Sequence, residues 1–138
     1  MQDNGSNNTG YHTIDGVRHR DLKPDLADAI NQVAAIYGGK DLLTYTAIAE
    51  STGGWNPKAG TNYMQIMEPA LVAIKDLKSH SDNKRELQNV KDNFGIDFNN
   101  MTLEEVRSNP LANVLASRLY YMLDNNPIPT DIMGTGDV

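Results

Sequence analysis

One carboxylate, Glu50, stands at the end of an apolar helical run through Leu42, Tyr45 and Ile48, and the chain turns sharply just behind it. Gly53, Gly54, Trp55, Asn56 and Pro57 make the turn, a polar loop follows, and Tyr63-Met64-Gln65-Ile66 closes it. An acid at the rim of an apolar helix, faced by a glutamine-bearing segment, is equipped to give a proton to a leaving oxygen. Cleavage of a glycosidic bond needs that step. The donor must keep its proton near working pH. Burial among apolar groups and a position at the carbonyl end of a helix both disfavour the charged carboxylate. Glu50 is expected to have both, with Ala47, Ile48 and Ala49 beside it and Trp55 folded over it. On periodicity alone, a solvated helix-end glutamate is the commoner outcome.

The neighbouring residues divide by chemistry. Gln65 is expected to face the acid as one of the polar groups that orient a ligand in a cleft. Ser51 is open between a bond to Glu50 or a sugar and a bond to the helix-end carbonyls. Tyr63 and Trp55 offer flat faces for a pyranose ring, and Trp55 suits core packing equally well. Met64 and Ile66 read as packing, with the Met64 backbone in reach of sugar. One of Tyr120 and Tyr121 is expected to point into the cleft. Neither Glu68 nor Asp76 is set to act as a second catalytic carboxylate, since Glu68 caps the next helix and Asp76 falls on its polar side. His12, His19 and His80 are scattered, so no metal site is expected. No glycine-rich phosphate loop or serine-histidine-aspartate set stands out either, and no cofactor is expected.

Glu50-Ser51, then Asn56-Pro57-x-Ala59, then Met64-Gln65-Ile66-Met67 with Pro69-Ala70 resemble the signature of the SLT-type lytic transglycosylases, within the lysozyme-like superfamily. Asn109-Pro110-x-x-Asn113-Val114-x-x-Ser117-x-x-Tyr120 resembles a later helix of that family, with Ser117 where glycine is usual. The likeness runs from about Leu26 to Leu123. Three departures accompany it: the loop from Ala59 to Gln65 is short, with Asn62-Tyr63 where Gly-Leu is usual; Gly53-Gly54 widen the step from Ser51 to Trp55; and the family's Ala-Tyr-Asn-x-Gly motif is absent before Val138.

The resemblance implies a lysozyme-like fold, all-α with at most a small hairpin, its helices packed around a substrate cleft beside the Glu50 helix. It implies that Glu50 serves first as acid and then as base, with Ser51, Trp55, Tyr63, Met64, Gln65 and Tyr120 on the substrate. The substrate would be peptidoglycan glycan strands, cut at the β-1,4 bond between N-acetylmuramic acid and N-acetylglucosamine. In that family the acetamido group attacks internally and the sugar's 6-hydroxyl closes an anhydro ring, so a lone acid favours transglycosylation over plain hydrolysis. A non-catalytic wall-binding or virion structural module on the same scaffold is the alternative from another class.

The 138 residues fit one domain with a real core. A hydrophobic share of 39% with 22% charged residues is ordinary for a globular chain. The absence of cysteine excludes disulfides and thiolate metal sites. A net charge of −6 argues against non-specific nucleic-acid binding and against bulk attraction to anionic wall polymers. No apolar run approaches the roughly 20 residues that cross a membrane, so no stable membrane insertion is expected. The opening MQDNGSNNTG, with no basic start and no apolar core, is not expected to act as a secretory signal. The expected setting is therefore a phage lysin held in the host cytoplasm until release, or a virion-borne wall-piercing protein with other virion proteins as partners.

Residues 1–16 read as a flexible arm and 17–138 as the domain, either complete or continuing past Val138. Leu22, Leu26, Ile30, Val33 and Tyr37 mark one helical face, opened by Pro24 and stopped by Gly38-Gly39. Asp41 is expected to cap a second helix, Pro69 to open a third and Asp82 a fourth that ends at Gly95. Thr102-x-x-Glu105 is a capping box, and Asn109-Pro110 opens a last helix that stops before Pro127 and Pro129. The segment from Gly60 to Ile66 is the one place where a short extended piece or hairpin is expected.

Overall fold

The computed structural model describes residues 11–14, 17–79 and 85–123. Two short strands, β1 (Tyr11–Ile14) and β2 (Val17–Arg20), precede six helices. These are α1 (Pro24–Tyr37), α2 (Lys40–Ser51), α3 (Glu68–Lys75), α4 (Glu86–Phe94), α5 (Leu103–Ser108) and α6 (Pro110–Leu123). The described chain is mostly helical, as the periodicity requires. No described helix is long and apolar enough to cross a membrane.

α6 is the central element. Every residue from Ala112 to Leu119 is buried, and the helix packs on α1, α2, α3 and α5. A helix that is buried all round belongs to the middle of a core. Arg118 and Leu119, neighbours on this helix, are both buried. Leu119 joins the apolar cluster with Leu26, Ile30, Val33, Leu43, Leu71, Ile74 and Phe98. Arg118 donates from Nε to the carbonyl of Gly38 (3.3 Å) and from Nη2 to that of Tyr37 (2.9 Å). A cation there satisfies carbonyls at the negative end of α1. Gly39 has to be glycine for two reasons: φ is +80°, and a Cβ would lie 3.1 Å from Arg118 Nε.

The α1 face is as read, with Leu26, Ala29, Ile30 and Val33 buried and Leu22 and Tyr37 partly so. α2 differs at its start. Gly39, in the left-handed region, is its cap, and Asp41 sits in the first turn without a capping bond. The carboxylate still faces the positive helix end. The Thr102–Glu105 capping box forms in both directions, with Glu105 N to Thr102 Oγ1 at 3.2 Å and Thr102 N to Glu105 Oε1 at 2.9 Å. Gly95 ends α4 in the left-handed region, as expected. The start expected for this helix at Asp82, the end expected near Pro127 and the domain's last fifteen residues lie outside the described residues.

Two expectations about extended structure are corrected. Gly60 to Ile66 forms consecutive turns rather than a hairpin. Asn62 explains this, because its side chain bonds both ends of the Ile66 backbone, accepting from N at 2.9 Å and donating to O at 3.0 Å. A side chain that supplies both bonds removes the need for a strand partner. The hairpin lies instead at β1–β2, with Ile14 opposite Val17 and Tyr11 opposite Arg20. β1 therefore falls inside the segment read as a flexible arm. The sequence carried the signal: Asp15-Gly16, flanked by Thr13-Ile14 and Val17-Arg18, is the dipeptide that two-residue hairpin loops favour.

Candidate active site

Three helices and one loop build a groove of about 340 Å³. α2 contributes Thr46 and Glu50, one turn apart on the same face. α6 contributes Ser117, Tyr120 and Tyr121. The segment between the turn and α3 contributes Met64, Gln65, Ile66 and Met67, and α3 itself adds Pro69 and Ala70. Glu50, Met64, Gln65 and Tyr120, singled out in the sequence, thus share one groove. Both tyrosines line it, where one was expected.

The loop is held by a buried amide network. Asn113 of α6 accepts from the Met64 N–H through Oδ1 at 2.7 Å. Its Nδ2 donates to Asn62 Oδ1 at 2.8 Å and to the Val106 carbonyl at 3.2 Å. Asn62 and Asn113 are both buried, and Asn62 in turn brackets Ile66. Gln65, between these anchors, has φ of +52°. Left-handed backbone is uncommon for a residue with a side chain and carries strain that the surroundings must impose. Its Nε2 donates to the Asn62 carbonyl at 2.9 Å, which fixes the amide plane at the groove wall.

Four expectations about the site change. Glu50 lines the groove but is exposed, not shielded beneath Trp55. Ser51 is buried and takes the bland role, donating to the Ala47 carbonyl at 3.0 Å and accepting from the Gly54 N–H at 2.9 Å. This closes the turn after α2 and leaves Ser51 away from the groove. Trp55 and Tyr63 are also absent from the groove lining. The reason is Lys23, whose ammonium lies 5.5 Å from the Trp55 ring and 5.9 Å from the Tyr63 ring. The Trp55 indole N–H donates to the Asp21 carbonyl. Gly54 permits this arrangement: at φ +92° its Cα sits so close that a Cβ would lie 3.2 Å from Lys23 Cβ and 3.3 Å from the Tyr63 ring.

Tyr63 is 3% exposed and donates to the Asp25 carboxylate at 2.9 Å. Burial, and then the bond and charge of Asp25, push its phenol up to about 12. The folded value lies above the unfolded one, so the stability it contributes is whole below about pH 10 and gone above about 12. Replacing Tyr63 with Phe should flatten the loss of stability between those two pH values by roughly 2 kcal/mol, read from urea unfolding at each pH. An unchanged slope would place the alkaline sensitivity elsewhere.

Sequence reading missed Thr46 and left Tyr121 and Ser117 unassigned. The available signal was spacing: Thr46 and Glu50, and Ser117 and Tyr121, are pairs four apart on two helices that meet. Thr46 Oγ1 donates to the Leu42 carbonyl at 2.8 Å and lies 2.9 Å from the Tyr121 hydroxyl. No family model matches the chain, and neither a curated protein nor a solved structure matches it.

Proposed function

We propose that the chain is a peptidoglycan-cleaving enzyme of lysozyme-like architecture that uses Glu50 as its single acid and base. One observation carries the reading: Glu50, Met64, Gln65 and Tyr120, drawn from separate parts of a family-like motif, line a common groove. A groove of about 340 Å³ suits one or two sugar units, and its walls mix apolar side chains with a few polar ones, as ligand sites do. Glu50 would give its proton to the glycosidic oxygen as the C1–O bond breaks, while the acetamido oxygen of the muramoyl unit attacks C1. The carboxylate would then take the 6-hydroxyl proton as that oxygen attacks C1, displaces the acetamido oxygen and closes the anhydro ring, which returns the acid to its starting form. Exposed in the free protein, Glu50 would be desolvated by the sugar that covers it.

That exposure also favours a second reading, in which the groove binds wall glycan without cutting it. Purified wall sacculi separate the two. The catalytic reading expects falling turbidity and released muropeptides lighter by one water than the hydrolytic products, read by mass spectrometry. Sacculi that pellet the protein and stay intact would leave the binding module standing.

A further inference from the structure

Three buried side-chain atoms have no hydrogen-bond partner among the described residues: the Tyr37 hydroxyl, Glu86 Oε2 and Arg118 Nη1. They come from the end of α1, the start of α4 and the buried stretch of α6. They are not scattered, because each feels the charge of the others. Burial raises the Tyr37 phenol above its ordinary value, Glu86 raises it further and Arg118 opposes both. Burial lowers the Arg118 guanidinium, and Glu86 and Tyr37 oppose that. A buried polar group without a partner costs free energy, most of all when it is charged. Three of them at one junction need a common answer.

Each of the three is pinned where it stands. Two bonds hold the guanidinium, from Nε to the Gly38 carbonyl at 3.3 Å and from Nη2 to the Tyr37 carbonyl at 2.9 Å, which fixes the direction of Nη1. Glu86 stands in the first turn of α4, at its positive end, with Oε1 accepting from Asn89 Nδ2 at 3.4 Å. The Tyr37 ring stacks on Phe94 of the same helix, with centroids 6.1 Å and planes 27° apart, and this sets the place of its hydroxyl. The bonds they lack are complementary: Arg118 and Tyr37 have protons to give, and Glu86 has a lone pair to offer. Glu86 disfavours an anion among them and Arg118 disfavours a cation. A small neutral molecule with two lone pairs and a proton fits all three.

We propose that this junction is the site of one buried structural water, which accepts from Arg118 Nη1 and from the Tyr37 hydroxyl and donates to Glu86 Oε2. Three bonds are the usual number for a buried water. The bridge makes Arg118 and Glu86 a water-separated ion pair. It also gives α4, whose buried contacts are Leu87 and Val90, a polar tie to the corner where α1 meets α6. None of this depends on the glycan reading.

Tyr37→Phe tests the bridge by the sign of its effect, measured as urea unfolding of the full chain. Loss of a hydroxyl that bonds a water should lower the folding equilibrium constant by about fivefold. Loss of an orphaned hydroxyl should raise it, so a gain or no change overturns the proposal. A high-resolution crystal structure of the unsubstituted chain separates the remaining cases. One ordered water within hydrogen-bond distance of all three atoms is expected. Direct contact of Glu86 with Arg118 or Tyr37, or another side chain of the protein in that place, overturns it.

Discussion

Glu50→Gln is expected to abolish turbidity loss on sacculi, with a fall in rate of at least about 10³-fold, while the melting temperature stays within about 1 °C of the unsubstituted protein. The two halves of that expectation come from different facts. A glutamine has no proton to give, and no described carboxylate shares the groove with Glu50 to take over its role. General acid catalysis contributes about 10² to 10⁴ in rate, and here the same group is asked to act twice. Stability should not change, because Glu50 is exposed and its side chain bonds no described residue. Glu50→Asp withdraws the carboxyl by one methylene and should lose about 10²-fold, since proton transfer fails quickly with misplacement. Full activity in Glu50→Gln would end the catalytic account. Inactivity of both proteins with retained binding to sacculi would convert the site to a recognition groove.

The contrast between Glu50 and Ser51 shows where the sequence was legible. Helix α2 and its stop follow from local chemistry, since the left-handed φ at Gly53 and Gly54, just past its end, is what glycine allows. Periodicity likewise placed the buried face of α1, but not the all-round burial of α6. The direction of each side chain around the turn was not legible, because it depends on partners distant in sequence. Trp55 could not be placed without Lys23 and Asp21, some thirty residues earlier, which draw it away from Glu50. Tyr63 offers a flat face for a sugar, yet Asp25 of α1 holds its hydroxyl in the core. The hairpin at β1–β2 is a different failure: a polar, glycine-rich start masked a two-residue turn signal that was local and readable. Ser117 was noted only as a substitute for glycine.

Asn113→Leu should cost about 3 kcal/mol and lower the melting temperature by about 10 °C, the largest stability effect expected of any described polar residue. Three buried partners lose their bonds at once: the Met64 N–H, the Asn62 side-chain oxygen and the Val106 carbonyl. Each has been taken out of water, and an apolar side chain of similar volume restores none of them. The same network holds Gln65 in its left-handed conformation, so relaxation of that strain gives the loop a reason to move. Activity on sacculi should therefore fall further than the folded fraction explains when both are measured at 20 °C below the variant's melting point. Asn113→Asp separates geometry from hydrogen bonding. A carboxylate keeps the acceptor for Met64 but turns a second acceptor towards Asn62 Oδ1 and the Val106 carbonyl, where the amide had donated. This variant should be at least as unstable as Asn113→Leu at neutral pH and should recover partly as pH falls and the new carboxyl gains a proton to donate. A variant that stays stable and active at neutral pH would show that the amide bridge neither holds the loop nor shapes the groove, leaving the Asn62 turn alone to position Gln65.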